Sequence, residues 1–207
     1  MADVTLYTNP MSRGRIARWM LEEAGAPYEV VVMPFGPDGT QGADFRAINP
    51  MGKLPTIRHG GKVITEAAAI CAYLADAFPD AGLAPPLAER ASYYRWLFFG
   101  AGCIEPAATA RAQKTVVPPE ASSMIGWGSP ERVFDTLEEA LAGKDYIAGY
   151  EFSAADVYVG SQVLWGLQFD TIDRRPAFEA YAARVADRDA YRRSNELDDA
   201  DAAAMSA

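Results

Sequence analysis

Ser12 stands just ahead of a helix-forming run, where a hydroxyl can serve chemistry as well as architecture. The apolar residues Ile16, Ala17, Met20, Leu21 and Ala24 recur at helical spacing, and Gly25 stops the run. A hydroxyl at such an N-terminus caps free backbone N–H groups; with the helix dipole it can also stabilise an anion brought to it. The two uses can coexist. A second suggestive stretch is Asn49–Ile57, Asn-Pro-Met-Gly-Lys-Leu-Pro-Thr-Ile. Pro50 and Gly52 punctuate a turn, and Leu54, Thr56 and Ile57 begin a short strand. Pro55 cannot donate to a ladder, so it suits only an edge or a bend. The Leu54-Pro55 bond is a candidate cis peptide, which would turn the Leu54 backbone outward and leave its N–H and C=O free for an extended partner. The plainer alternative is a proline-containing start to an edge strand. Glu66 opens a helix with Ile70, Tyr73, Leu74 and Ala77 on one face; a carboxylate there also simply favours the dipole.

The elements that must position these residues follow from periodicity. Asp3–Thr8 reads as a strand containing Tyr7, a core residue by default, and Asn9-Pro10 breaks it. Tyr28–Met33 is a valine-rich second strand, and Pro34–Gly42, with three glycines and two prolines, is a loop. Lys62–Ile64 follows a Gly60-Gly61 turn as the second arm of a hairpin. The order βαβ, hairpin, helix implies a parallel pair with a right-handed crossover plus antiparallel strands. Residues 1–80 therefore form a small α/β domain, and 81–88, with Gly82 and Pro85-Pro86, a linker. Residues 89–207 form an all-α domain. In it Leu87–Lys114 is a long helical stretch bent or interrupted at Gly100, Gly102 and Pro106. Glu131–Leu141, Ala154–Leu167 and Pro176–Arg188 are further helices, and Ser194–Ala207 is an acidic, alanine-rich, solvated tail. Ser153 and Asp156 have capping-box spacing, with Phe152 and Val157 as a hydrophobic staple, so Asp156 is explained without catalysis.

Composition excludes several classes. Across 207 residues the formal charge is −9, which argues against nucleic-acid binding. No run of about 18 apolar residues is present to span a membrane. Met1-Ala2-Asp3-Val4 lacks the pattern of a secretory signal, so a cytoplasmic protein is expected. Cys71 and Cys103 fall in apolar helical patterns and are expected as buried free thiols; with the single His59 they are too few for a zinc site, and no metal is expected.

The Asn49–Ile57, Thr65–Ile70 and Phe152–Val157 motifs, in this order and spacing, resemble the glutathione S-transferase family over nearly the whole chain. That resemblance implies a thioredoxin-like N-terminal domain, an all-helical C-terminal domain and a cytoplasmic homodimer. It also implies a detoxification-type transferase that conjugates glutathione to a small, mostly apolar electrophile. Residue by residue, it places Leu54 and Pro55 against the cysteinyl part of glutathione and Glu66 on the γ-glutamyl end. The hydroxyl that usually follows the acid is replaced here by Ala67, which keeps only its backbone N–H. Lys53 either reaches a glutathione carboxylate or is a solvated turn lysine. The spacing from Tyr7 to Ser12 is similar to the serine-type classes, making Ser12 the thiolate donor. The Arg13-Gly14-Arg15 run is instead similar to the tyrosine-type classes, and aligning on it brings Asn9 to the tyrosine position, so Tyr7 and Asn9 are rivals. Met11, Phe35, Trp96, Phe99 and Trp127 are candidate walls for the second substrate. The family also includes non-catalytic ligand-binding proteins and glutathione-dependent peroxidases, isomerases and dehalogenases.

Overall fold

The computed structural model describes residues 3–206. In chain order the elements are β1 (Val4–Thr8), α1 (Gly14–Ala24), β2 (Tyr28–Val32), α2 (Ala43–Ile48), β3 (Thr56–His59), β4 (Lys62–Thr65) and α3 (Ala67–Ala77), then α4 (Ala91–Phe99), α5 (Glu105–Ala112), α6 (Pro130–Leu141), α7 (Ala154–Gln168), α8 (Pro176–Ala186) and α9 (Asp189–Ser206). They gather into two compact units. One runs up to Leu83 and takes in the chain again from Arg188; the other is Ala84–Asp187.

The first unit is built on a sheet of order β2-β1-β3-β4. β1 pairs parallel with β2 and antiparallel with β3, and β3 pairs antiparallel with β4. Side chains alternate across β1: Val4, Leu6 and Thr8 are fully buried, while Thr5 and Tyr7 point to the other face and are half-buried. Leu6 and Ile57 share the core with Ile16, Met20 and Leu21 of α1 and with Ile70 and Leu74 of α3. Gly14, the first residue of α1, permits a close approach. A Cβ there would lie 1.8 Å from Thr8 Oγ1 and 2.9 Å from Ser12 Oγ.

The C-terminal segment overturns the expected solvated tail and its assignment to the helical domain. Residues 189–206 form a regular helix packed on α1 in the first unit. Its acids meet arginines of α1. Arg15 pairs with Asp199 at 2.6 Å, and Arg18 pairs with Asp198 at 3.1 Å and with Asp201. Arginines of the 188–193 stretch return the contact, Arg188 to Glu23 at 2.6 Å and Arg193 to Glu22 at 2.7 Å. Composition alone reads such a segment as solvated because its partners lie over 160 residues away in sequence.

Asp198 is buried, and neither of its carboxylate oxygens accepts a hydrogen bond, so only neighbouring positive charge compensates it. Burial pushes its pKa up to about 6, against the pull of Arg18 and Arg15. A carboxyl raised in the folded state adds stability that is full below its unfolded pKa and is lost as pH rises through the folded value. The melting temperature of the wild type is therefore expected to fall between about pH 4 and pH 6 and to level off above that, by the equivalent of at most about 3 kcal/mol from this group. Asp198→Asn is expected to flatten that dependence; an equally steep profile in the variant would refute the assignment.

The second unit is helical. α4 and α5 do not break at the glycines but are joined by a π-helical turn, Gly100–Ile104. Gly100 is required there because a Cβ would meet the Tyr158 ring at 2.9 Å. Pro106 sits in the first turn of α5, where its missing N–H costs little. α7 is buried on nearly every side. Its start is organised by Asp156, fully buried, which accepts from Ser153 N–H at 3.0 Å, Ser153 Oγ at 3.1 Å, Ile147 N–H at 2.7 Å and Tyr181 OH at 2.9 Å. The expected capping box is present, and the carboxylate additionally ties the preceding loop and α8 to it. Burial pushes Asp156 up to about 6 while these hydrogen bonds pull it down. Cys71 is fully buried in the first unit, but Cys103 is half-exposed, which corrects the expectation of two buried thiols. No helix among the described residues is long and apolar enough to cross a membrane, and no group of three or more described His, Cys, Asp or Glu residues could hold a metal ion.

Candidate functional site in the first unit

The strand register decides which loops meet. Tyr7 pairs with Thr56, Thr56 with Thr65, and Thr8 with Val32. The exits of β1, β2 and β4 and the start of β3 therefore lie at one end of the sheet. The loop carrying Ser12, the segment carrying Phe35, the Leu54-Pro55 pair and Glu66 are brought to the same edge. From β1 to β4 this edge spans about 10 Å, two strand spacings, which is about the length of an extended tripeptide.

At the β1 exit, Ser12 N–H and Ser12 Oγ both donate to the Asn9 carbonyl, at 2.9 and 2.7 Å. Gly14 N–H in turn donates to Ser12 Oγ at 2.9 Å. Ser12 thus caps α1 from two residues ahead of its start, and the accepted N–H polarises its hydroxyl. If that hydroxyl swings to an incoming anion, the Asn9 carbonyl keeps the Ser12 N–H and nothing is left unpaired. The rivals are placed differently. Asn9 is buried with both ends of its amide in use, Nδ2 on the Met33 carbonyl at 2.8 Å and Oδ1 under Met11 N–H at 2.9 Å. Tyr7 packs on Phe45 of α2, with ring centroids 5.8 Å apart, and Arg58 lies over its ring.

At the start of β3 the Leu54-Pro55 peptide is cis. The Leu54 N–H and C=O make no hydrogen bond to any described residue. This loop is held by Asn49, whose Nδ2 donates to the Lys53 carbonyl at 2.9 Å and to Thr56 Oγ1 at 3.0 Å, while Oδ1 accepts from Met51 N–H at 3.1 Å. Asn49 and Asn9 are the same device. Each starts an Asn-Pro-Met tripeptide, takes the N–H two residues on, and reaches with its amide nitrogen to a carbonyl beyond the tripeptide, Met33 for Asn9 and Lys53 for Asn49. The sequence reading gave neither this positioning role, although the repeated tripeptide was visible. The Lys53 side chain is exposed, with no partner among the described residues.

At the β4 exit Glu66 occupies the N-cap of α3 with φ 66° and ψ 116°, a left-handed conformation that costs a non-glycine residue about 1–3 kcal/mol. Its exposed carboxylate makes no bond to a described residue. Ala67 follows as the first residue of α3, and the helix's first N–H groups have no intrahelical acceptor. A strained acid beside free amides at a helix N-terminus suits a ligand with both an ammonium and a carboxylate.

The expected second-substrate walls are divided between the two units. Met11 is 78% exposed and Phe35 58% exposed, both in the first unit. In the second unit Phe99 and Trp127 line one cavity of about 470 Å³ with Cys103, Arg132 and Val133. Trp96 is only 2% exposed and stacks edge-on to Phe99, so it is core and not a wall. Its helical spacing with Phe99 was compatible with either role, and packing chose the core.

Comparisons with known proteins identify the family. Residues 11–77 match the family model for the glutathione S-transferase N-terminal domain, and residues 111–189 match that for the C-terminal domain. The chain is 31% identical to glutathione S-transferase 3 of Zea mays over 172 residues, covering 75% of each. Among solved structures, a glutathione transferase from Methylococcus capsulatus superposes with a TM-score of 0.76 at 31% identity, covering 94% of this chain and 98% of the other. A theta class glutathione S-transferase from Xanthomonas axonopodis pv. citri, solved with glutathione bound, superposes with a TM-score of 0.75 at 29% identity, covering 94% and 97%. With a thioredoxin-like first unit, a helical second unit and these likenesses over most of its length, the chain belongs to the glutathione S-transferase family.

Proposed function

We propose that the protein binds glutathione along the edge of its sheet and transfers it, as the thiolate, to a small, mostly apolar electrophile. The observation that supports this most is the meeting of three complementary groups on one sheet edge: the Ser12 hydroxyl, the unpaired Leu54 backbone and the Glu66 carboxylate beside the α3 amides. The Leu54 N–H and C=O pair with the cysteinyl backbone as an added strand does. Glu66 takes the γ-glutamyl ammonium, the Ala67 N–H takes its carboxylate, and Lys53 takes the glycyl carboxylate. The cysteinyl sulfur then lies toward Ser12, and exposed Met11 and Phe35 offer apolar surface to the acceptor. The test is an ultraviolet difference titration of bound glutathione between about pH 5 and 9. A thiol pKa below the free value of about 8.5 is expected. An unshifted thiol, or no binding, refutes the reading.

One observation favours a second reading, a glutathione-fold binding protein without catalysis: Ala67 offers no hydroxyl to the γ-glutamyl carboxylate. Ala67→Ser is expected to tighten glutathione binding by about 0.5–1.5 kcal/mol, measured by calorimetry. Unchanged or weaker binding would count against Ala67 as the weak point. Both readings take the protein as a cytoplasmic homodimer. Light scattering at micromolar concentration is expected to give the dimer mass, and a monomer refutes that assignment.

A further inference from the structure

We propose that the C-terminal helix α9 positions the Ser12 loop, acting through Arg15. This inference rests on the transferase reading of Ser12 above. All three guanidinium nitrogens of Arg15 are committed. Nε donates to the Pro10 carbonyl at 2.6 Å, one terminal nitrogen to Asn195 Oδ1 at 3.2 Å and the other to Asp199 Oδ1 at 2.6 Å. Pro10 lies inside the turn whose Asn9 carbonyl holds both the N–H and the hydroxyl of Ser12. Having no N–H, Pro10 can be gripped by its backbone only through that carbonyl. Its holder is a planar fork whose other two prongs end on α9, so the position of the loop follows the position of the helix.

The far end of the linkage is itself firm. Asn195 Nδ2 is bonded back to the Tyr191 carbonyl at 2.9 Å, which orients its Oδ1 toward Arg15. Tyr191 meets Trp19 edge-on at 4.9 Å, and the Arg18–Asp198, Arg188–Glu23 and Arg193–Glu22 pairs anchor the rest of α9 to α1. Arg15 is a positioning residue, since each of its three guanidinium nitrogens donates to a protein acceptor. Asp199 is largely exposed, so its pair with Arg15 is screened and the expected effects are moderate.

The test compares wild type, Asn195→Ala/Asp199→Ala and Arg15→Lys, with Ser12→Ala in parallel. Hydrogen exchange at the Ser12 amide and titration of the bound glutathione thiol are the readouts. In the double variant and in Arg15→Lys, which keeps the charge but not the fork, Ser12 exchange is expected to quicken by about ten-fold. The thiol pKa is expected to rise by about half a unit, a three-fold change in the thiolate–thiol ratio, with glutathione affinity within about two-fold of wild type. Unchanged Ser12 exchange overturns the proposal, whatever happens to the melting temperature, because α9 then contributes stability alone. Faster exchange with an unmoved thiol pKa, when Ser12→Ala does move it, overturns it too. If Ser12→Ala itself leaves the thiol pKa unmoved, the transferase reading of Ser12 is what fails. The exchange data then uphold or overturn the positioning by themselves.

Discussion

Ser12→Ala is expected to raise the pKa of the bound glutathione thiol by about one to two units, because a hydrogen bond to a charged group contributes about 1.5–3 kcal/mol. The variant loses the donor and also strands the Gly14 N–H that Ser12 Oγ accepts in the wild type. The sign of the pH dependence follows. Below the wild-type thiol pKa both proteins hold mostly thiol, and their thiolate fractions differ by the full ratio of the two acid constants. Above the variant's pKa both are ionised and the difference closes. The kcat/KM for a small electrophile should therefore fall by about 10- to 100-fold near pH 6.5 and recover most of that loss above pH 9. Ser12→Thr keeps the hydroxyl and should retain a depressed thiol pKa. A deficit that is the same at every pH would mean that Ser12 only shapes the loop. An unaltered pKa would pass the role to the backbone N–H groups at the start of α1.

Asp156→Ala is expected to be the most destabilising single change in the second unit. It removes the acceptor of four hydrogen bonds, leaving two backbone N–H groups and two hydroxyls without their partner at a fully buried position. A lost cap costs about 0.5–2 kcal/mol, and each buried group left unsatisfied adds about 1–3 kcal/mol. The hydroxyls can turn away and part of the site can relax, so a total of about 3–4 kcal/mol is expected. That is a large share of the roughly 5–15 kcal/mol that holds a typical domain together. Urea unfolding of Asp156→Ala and of the milder Tyr181→Phe, expected to cost about 1 kcal/mol, would measure it. A loss below about 1 kcal/mol in Asp156→Ala would refute the account. The folded fraction should keep its kcat and its thiol pKa, which separates this residue from the catalytic carboxylate that its buried position could suggest.

Much of this was legible in the sequence, for local reasons. The βαβ-hairpin-helix order follows from turn residues and hydrophobic periods that operate within a few residues. The Ser153–Asp156 cap is a three-residue spacing, and Pro55 marks the start of β3 because it cannot join a ladder. The free Leu54 backbone was also legible, from the proline that follows it, but the strain at Glu66 was not, because φ is set by what surrounds a residue. Nor was the state of the aromatic residues: Trp96 and Phe99 share a helical spacing, yet one is core and the other lines a cavity.

The sequence by itself determined the family, the two-part architecture and the residue types at the sheet edge, since each is carried by short motifs whose chemistry is local. Only the tertiary structure decided how these are held. The Tyr7–Thr56–Thr65 register brings three loops to one edge, two buried asparagines lock the turns behind Ser12 and Leu54, and an acidic tail becomes a helix bonded to α1. Except for the Asn49 lock, which acts within seven residues, each of these joins groups from separate parts of the chain. The salt bridges from Arg15 and Arg18 to Asp199 and Asp198 exist because folding closes a loop of some 180 residues, and of the two acids it removes Asp198 from water. No local pattern encodes a pairing whose free energy arises only when the two surfaces meet.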